Sequence, residues 1–388
     1  MKAFFYLGIL AWGLLEILKV YFIMPMPGSQ QWDSVEFAYL IHQNRWILRA
    51  LFGIMILVGA RNAFSISKKW IPLLFMVPLI IIIYTFNFEL LAERMFQQPG
   101  NLSFYDKESY DENDSSLVVA IVQEGKAKAY PIRYISYHHQ VRDSIGSTPI
   151  MVTYCNVCRT GRIFSPIIDS KSEEFRLVGM DHFNAMFEDK TTGSWWQQAT
   201  GEAIVGPSTG KSLDELESEQ MTAATFFSLY PEGLIMKADP SFLSKYDSLG
   251  KFEKGKSTSN LTKTDSISWN EKSWVVGISL DGVSKAYDWN GLQKEIIIHD
   301  SVGNQPIVLV LAEDKQSYAA FKREPFHYFQ IKEDTLYLGE SKYNLAGKSM
   351  NSGTPNLEKI NAYQEFWHSW RTFHPRTEIY KMEKEKNS

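Results

Sequence analysis

The chain has almost no cysteine: two in 388 residues. A structural zinc site takes four ligands, so the cysteines alone leave such a site half built. Basic charge is not in excess either. Lys and Arg number 40 against 44 Asp and Glu, the net charge is −4 and the pI is near 6.1. Nothing in that balance provides the electrostatic footprint of a nucleic-acid binder. Apolar runs of membrane length are missing after Leu91, although the first part of the chain is far more apolar than the rest. The length allows two or three domains of about 100–200 residues each.

What cysteine there is stands together, as Tyr154-Cys155-Asn156-Val157-Cys158-Arg159. That spacing suits a thiol/disulfide pair or half of a metal site. The plainer alternative is two small residues packed in a core. A c-type haem attachment is excluded, because Arg159 stands where a histidine is required.

Three apolar stretches open the chain, about 3–24, 46–64 and 70–91, the first interrupted by Glu16 and Lys19. Each is close to the ~20 residues that a helix needs to cross a bilayer. Pro72 and Pro78 in the third do not exclude a span. Met24-Pro25-Met26-Pro27 makes a poor cleavage site, so the first stretch is expected to be a retained helix rather than a signal peptide. Residues 1–95 thus read as a membrane anchor whose partner is the lipid bilayer. Arg61, Lys68 and Lys69 lie between the second and third stretches, which predicts a cytoplasmic loop there and an extracytoplasmic domain after Leu91. The expected location is the cell (inner) membrane, with the C-terminal domain in a compartment that permits disulfides.

The exported part contains a duplication. Val118-Val119-Ala120-Ile121 aligns with Val275-Val276-Gly277-Ile278, and Lys128-Ala129-Tyr130 with Lys285-Ala286-Tyr287. In the same ungapped register, Gly125 meets Gly282, Asp143 meets Asp300, Pro149 meets Pro306 and Phe164 meets Phe321. Both copies read as alternating strand, glycine turn, strand, then a turn into an apolar strand. A first repeat over 100–240, an exposed connection over 241–272 and a degenerate second repeat over 273–380 follow. The second copy has Ala312 and Lys315 in place of Cys155 and Cys158, and Glu295 in place of His138. The first copy is therefore the expected active half and the second a cover.

Ile150 to Tyr154 reads as a strand running into Cys155, and Arg162-Ile163-Phe164 as the next strand. Strand, tight turn, strand is the shape of a metal knuckle, with His138, His139, Asp181 or His182 as further donors for zinc, or an imidazole for copper. The redox reading needs less and no cofactor. Two thiols at this spacing can form and break a disulfide, with Cys155 attacking and Cys158 resolving, Cys155 at least partly accessible, and Arg159 or His138 favouring the thiolate. A second cluster holds Asp189, Ser194, Trp196 and Gln198, a mix that walls a pocket or caps a turn with core tryptophans.

These residues resemble the DUF3179 family. The resemblance rests on Ile150 to Cys158, on His138 and Asp143 upstream, and on Thr192-Gly193-Ser194-Trp195-Trp196-Gln197-Gln198 and Gly201-Glu202-Ala203-Ile204 downstream. It covers most of 117–231 and, more faintly, the second copy. It implies a redox role for Cys155, because selenocysteine occupies the matching position in some members. The chain departs at Asn156, where proline is usual, and at Arg142, where asparagine is usual. The family's function is unknown, so the resemblance supplies no substrate.

The expected protein is thus α+β: three transmembrane helices followed by a β-rich extracytoplasmic domain built as a degenerate tandem repeat. Its expected chemistry is thiol/disulfide exchange at Cys155 and Cys158 with an unidentified redox or protein partner, with Tyr154 and the residues named above lining the site. A zinc or copper module using the same cysteines and His138 is the alternative. A non-enzymatic ligand- or partner-binding domain is the third reading.

Overall fold

A computed structural model describes residues 1–65 and 67–382. Its contacts divide the chain into two compact units. One comprises Met1–Gln97, Glu173–Gln197 and Glu202–Ser212; the other comprises Gln98–Ser172, Gln198–Gly201 and Leu213 onward.

The first unit contains three helices long and apolar enough to cross a membrane: Lys2–Tyr21, Val35–Ala63 and Trp70–Glu89. The third carries Pro78 internally and ends in a π-helical turn, Thr85–Glu89. Small residues let the first two helices touch. A Cβ at Gly59 would sit 2.3 Å from the Phe5 nitrogen, and one at Gly8 would sit 2.9 Å from the Phe52 carbonyl oxygen. Close backbone approach through small residues is how helices associate where lipid offers no hydrophobic drive.

The second helix starts at Val35, well before the apolar stretch at Trp46. Its first turns are amphipathic rather than apolar, so a search for membrane-length runs passes over them. They bury Ala38 and Ile41, and Ala38 packs with Ile23, Val178, Met186, Trp195 and Val205. Of those partners Val178, Met186, Trp195 and Val205 belong to an antiparallel four-stranded sheet in the order Ala203–Val205, Trp195–Gln197, Asn184–Asp189, Phe175–Asp181. The Met180 amide donates to the Ile23 carbonyl at 2.7 Å, tying the sheet to the end of the first helix. This sheet therefore groups with the apolar helices, although it lies inside the stretch read as the first repeat.

The second unit holds two sets of strands. In the first set, Leu117–Gln123 pairs antiparallel with Lys126–Pro131, helix Ile132–His138 follows, and Gln140–Ile145, Thr148–Cys155 and Thr160–Phe164 form an antiparallel sheet. Glu219–Thr222 adds antiparallel to the first strand, helix Ala223–Leu229 follows, and Leu234–Met236 adds parallel to the second strand. In the second set, Trp274–Leu280, Val283–Asp288, helix Trp289–Glu295 and the sheet Ile297–Val302, Gln305–Leu311, Tyr318–Lys322 come in that order. Ala362–Phe366 adds antiparallel, helix Trp367–Phe373 follows and Glu378–Ile379 adds parallel. The strands are buried in continuous runs, with successive side chains on opposite faces, and each set has its own core, one around Val118, Ala129 and Phe226, the other around Val276, Tyr287 and Leu309.

The segment read as an exposed connection over 241–272 carries a helix, Leu243–Glu253, with Tyr246, Phe252 and Glu253 buried. Its apolar residues are too few to give a clear period, but Phe242 and Tyr246 share a face and pack about the His138 ring.

Candidate functional site

Pairing of Thr148–Cys155 with Thr160–Phe164 runs from Met151 opposite Phe164 to Cys155 opposite Thr160. The four residues Asn156 to Arg159 must then reverse the chain, and Arg159 takes a left-handed φ of +58° to do so. Cys155 ends its strand and Cys158 lies in the turn, which brings the two thiols together.

Neither cysteine is in a disulfide, and both are fully buried. The expectation of a partly accessible Cys155 is therefore corrected: the turn folds inward under a cover supplied from far along the chain. Burial pushes the Cys158 thiol well above its ordinary pKa, and hydrogen bonding to Cys155 and the charge of Cys155 push it the same way. The Ser369 hydroxyl and the charge of Lys272 oppose that rise. Burial and the neighbouring sulfur thus both favour the protonated form of Cys158.

Lys272 is the cation at this site. Its ammonium donates to the Val157 carbonyl at 2.7 Å and to His368 Nε2 at 3.0 Å. Burial lowers its pKa, and the charges of Cys158 and Cys155 act against that lowering. Burial, then the positive charge of Lys272, drives His368 down to about 3, so its imidazole is neutral. The Phe366 amide donates to the Cys158 carbonyl at 3.0 Å, and the Ser369 hydroxyl lies 3.1 Å from that of Thr160. Ser369 also donates to Glu365, which pairs with the buried Arg162 at 2.5 Å. Gln198 closes the other side, donating to the Thr153 hydroxyl and the Thr160 carbonyl at 3.0 and 3.1 Å.

The other expected residues take varied places. The Arg159 guanidinium lies 3.8 Å over the Trp274 ring and donates to Gln364 and to the carbonyls of Phe252 and Glu253. Those partners commit it to the packing. His138 ends its helix, buried, with Nε2 2.6 Å from the Tyr246 hydroxyl. Tyr154 is buried with its hydroxyl unpartnered, and burial raises its pKa. Asp143 accepts from Tyr130 and Lys128, both at 2.7 Å. Asp181, Asp189, Ser194 and Trp196 belong to the first unit. There Asp189 is the hub of a turn, accepting from Trp196 Nε1 at 2.9 Å and from the Thr192 hydroxyl at 2.7 Å, with Ser194 receiving the Ser208 amide at 2.9 Å. Asp181 accepts from Gln197 and lies 2.7 Å from His182 Nδ1.

Among the described residues no group of three or more His, Cys, Asp or Glu side chains converges to hold a metal ion. The zinc and copper readings thus have no converging set of three or more such ligands among the described residues.

Lys272, His368 and Ser369 were not found from the sequence. Comparing the copies had singled out only what the first copy possesses. Run in the other direction, with Thr222 and Phe366 as equivalent strand ends, His368 falls opposite Ala224 and would have stood out.

Fold and site together define a class: a chain with three membrane-length helices and a β-rich unit that buries an adjacent pair of cysteines not joined in a disulfide. It belongs to the family described as "Protein of unknown function (DUF3179)", which it matches over residues 100–377. That match spans the first strand set and the second as far as the strand Glu378–Ile379. No curated protein and no solved structure matches the chain.

Proposed function

We propose that the protein is a membrane-anchored thiol/disulfide oxidoreductase of the extracytoplasmic face, with Cys155 as attacking and Cys158 as resolving sulfur. The observation that carries this reading is the hydrogen-bonded contact between two thiols that form no disulfide, with Ser369 and the Lys272 charge acting on Cys158. In the reaction, the Cys155 thiolate attacks one sulfur of a partner disulfide and expels the other as a thiolate. Cys158 loses its proton and attacks Cys155 in the mixed disulfide, which releases the second partner thiolate. Two electrons pass from the cysteine pair to the partner, and the two expelled thiolates take up the two protons. Because both sulfurs are buried, the Asn156–Arg159 turn or its cover opens before a protein disulfide can reach Cys155.

The second strand set is, on this reading, a degenerate repeat kept as the cover. Matched details support it. Tyr130 donates to Asp143 at 2.7 Å and Tyr287 to Asp300 at 3.1 Å. Lys128 and Lys285 pair with the same two aspartates, each at 2.7 Å. His139 and Ile296 both end their helices with positive φ, and their carbonyls accept from Tyr154 and Leu311 respectively. Placement of the β-rich part outside the cytoplasm of the inner membrane is supported by Arg61, Lys68 and Lys69 between the second and third helices.

The test is a trap. Cys158→Ser in the full chain should accumulate a mixed disulfide through Cys155, visible as a reducible higher-mass band in membranes. Cys155→Ser should give none. A trap from neither variant, or from both equally, overturns the assignment of roles.

A further inference from the structure

Within the unit that contains the apolar helices there is a cavity of about 530 Å³, lined by the first two helices, the segment after the third and the small sheet. Its polar wall carries Lys19, Arg45, Arg49 and Arg176 with Glu93 and Glu188. Its remaining wall is apolar, with Val20, Ile23, Leu91 and Val178. Trp46, two-thirds exposed, stands at its edge with the Arg49 guanidinium 4.6 Å over the ring. An exposed tryptophan at the end of an apolar stretch marks the headgroup level of a bilayer.

The charges do not balance. Glu16, fully buried, takes both Lys19 at 3.0 Å and Arg49 at 2.7 Å. Arg176 is met by Glu188 at 2.6 Å and Glu93 at 3.3 Å. Arg45 is in no ion pair among the described residues, and its guanidinium reaches only the carbonyl of His42 in its own helix. Four cations thus face three carboxylates, with His42 3.2 Å from Glu188. A surplus positive charge in a partly dehydrated cavity is costly unless an anion joins it.

We propose that this cavity binds a phosphate monoanion, held by Arg45 in a planar two-pronged contact, and that a membrane-lipid headgroup carries it. Guanidinium matches the geometry of a phosphate better than an ammonium does. The single surplus charge suits a phosphodiester, and the apolar wall suits the start of an acyl chain. The inference is independent of the thiol chemistry, which lies in the other unit.

The experiment is native mass spectrometry of the purified full chain in detergent with added phosphatidylglycerol, phosphatidylcholine or inorganic phosphate. Phosphatidylglycerol should be retained as one adduct per chain, about tenfold above phosphatidylcholine. Arg45→Gln should cut that retention about tenfold, and Arg45→Lys should restore part of it. Arg61→Gln, near the opposite end of the same helix, should change nothing. Monodisperse elution of each variant controls for folding. Equal retention of the two lipids, or retention unaffected by Arg45→Gln, overturns the proposal. An Arg45-dependent adduct of inorganic phosphate without one of phosphatidylglycerol overturns the lipid source.

Discussion

Two stretches of the β-rich unit, 117–164 and 274–322, pass through the same order of strands and helix but fill one turn differently. In the second stretch the turn after Leu311 is closed by a carboxylate: Asp314 accepts the amides of Gln316 and Ser317 at 2.8 and 2.7 Å and the hydroxyl of Thr222 at 2.9 Å. In the first stretch the turn after Cys155 has two thiols on its inner side, and its polar partners come from elsewhere: Lys272, Phe366 and Ser369. One turn is closed chiefly by a carboxylate of its own, which Thr222 also reaches. The other depends on groups more than a hundred residues away. A structural turn gains nothing from such dependence, whereas a reactive pair gains shielding and a tuned proton.

The comparison breaks most readily at the buried ion pair that ties Arg162, at the end of the first stretch, to Glu365 in the strand Ala362–Phe366. Glu365→Ala leaves the buried Arg162 with Glu215, 31% exposed and 3.4 Å away, as its remaining carboxylate. The expected loss is about 3–5 kcal/mol of unfolding free energy, read by denaturant titration. Alkylation of Cys155 and Cys158 should accelerate in the same variant. Unchanged alkylation at conditions where the variant is folded would show that this stretch is not a cover.

Acid should expose the same dependence. His139 and His368 are buried with pKa values lowered, chiefly by burial, to about 4 and about 3. In the unfolded chain each titrates near ~6.5, so below that pH the unfolded state binds more protons than the folded state. Stability is therefore unaffected by these groups above pH ~6.5 and falls as pH drops toward ~4, by up to about 1.4 kcal/mol per pH unit for each histidine. His368→Gln should flatten that slope relative to the parent. Parallel slopes would place His368 outside the buried site.

The smallest effects sharpen the likeness between the two stretches. Gly201 and Gly347 have φ of +71° and +75°, and a Cβ at either would meet the Cε1 of Phe164 or Phe321 at 2.7 or 2.6 Å. Gly201→Ala and Gly347→Ala should each cost about 1–3 kcal/mol, and by similar amounts. Costs that differ severalfold would argue against a common ancestor for the two turns.

Much of this could be read in the chain. Ile150 to Tyr154 and Arg162 to Phe164 announced strands around Cys155, and the ungapped alignment of Tyr130 with Tyr287 put their aspartates in register. The apolar runs gave three helices because membrane length is a local property. The start of the second helix at Val35 was hidden, since its buried Ala38 and Ile41 are spaced for one face only. The association of Trp195 and Val205 with Ile23 and Ala38 was hidden too, because side-chain burial between distant segments leaves no periodic trace. Lys272 sat in a stretch rich in Ser, Lys and Asp that resembles solvent-exposed chain, and only packing reveals its ammonium under Val157.

The most direct test is to count thiols on the full chain, purified with its metal content measured, before and after mild oxidation. The expected result is two alkylatable cysteines in the reduced, denatured protein and none after oxidation. The oxidised intact mass should be lower by two hydrogens and return to its starting value with dithiothreitol. Two alkylatable cysteines and an unchanged mass after oxidation, in protein that remains folded, would contradict a redox pair at Cys155 and Cys158.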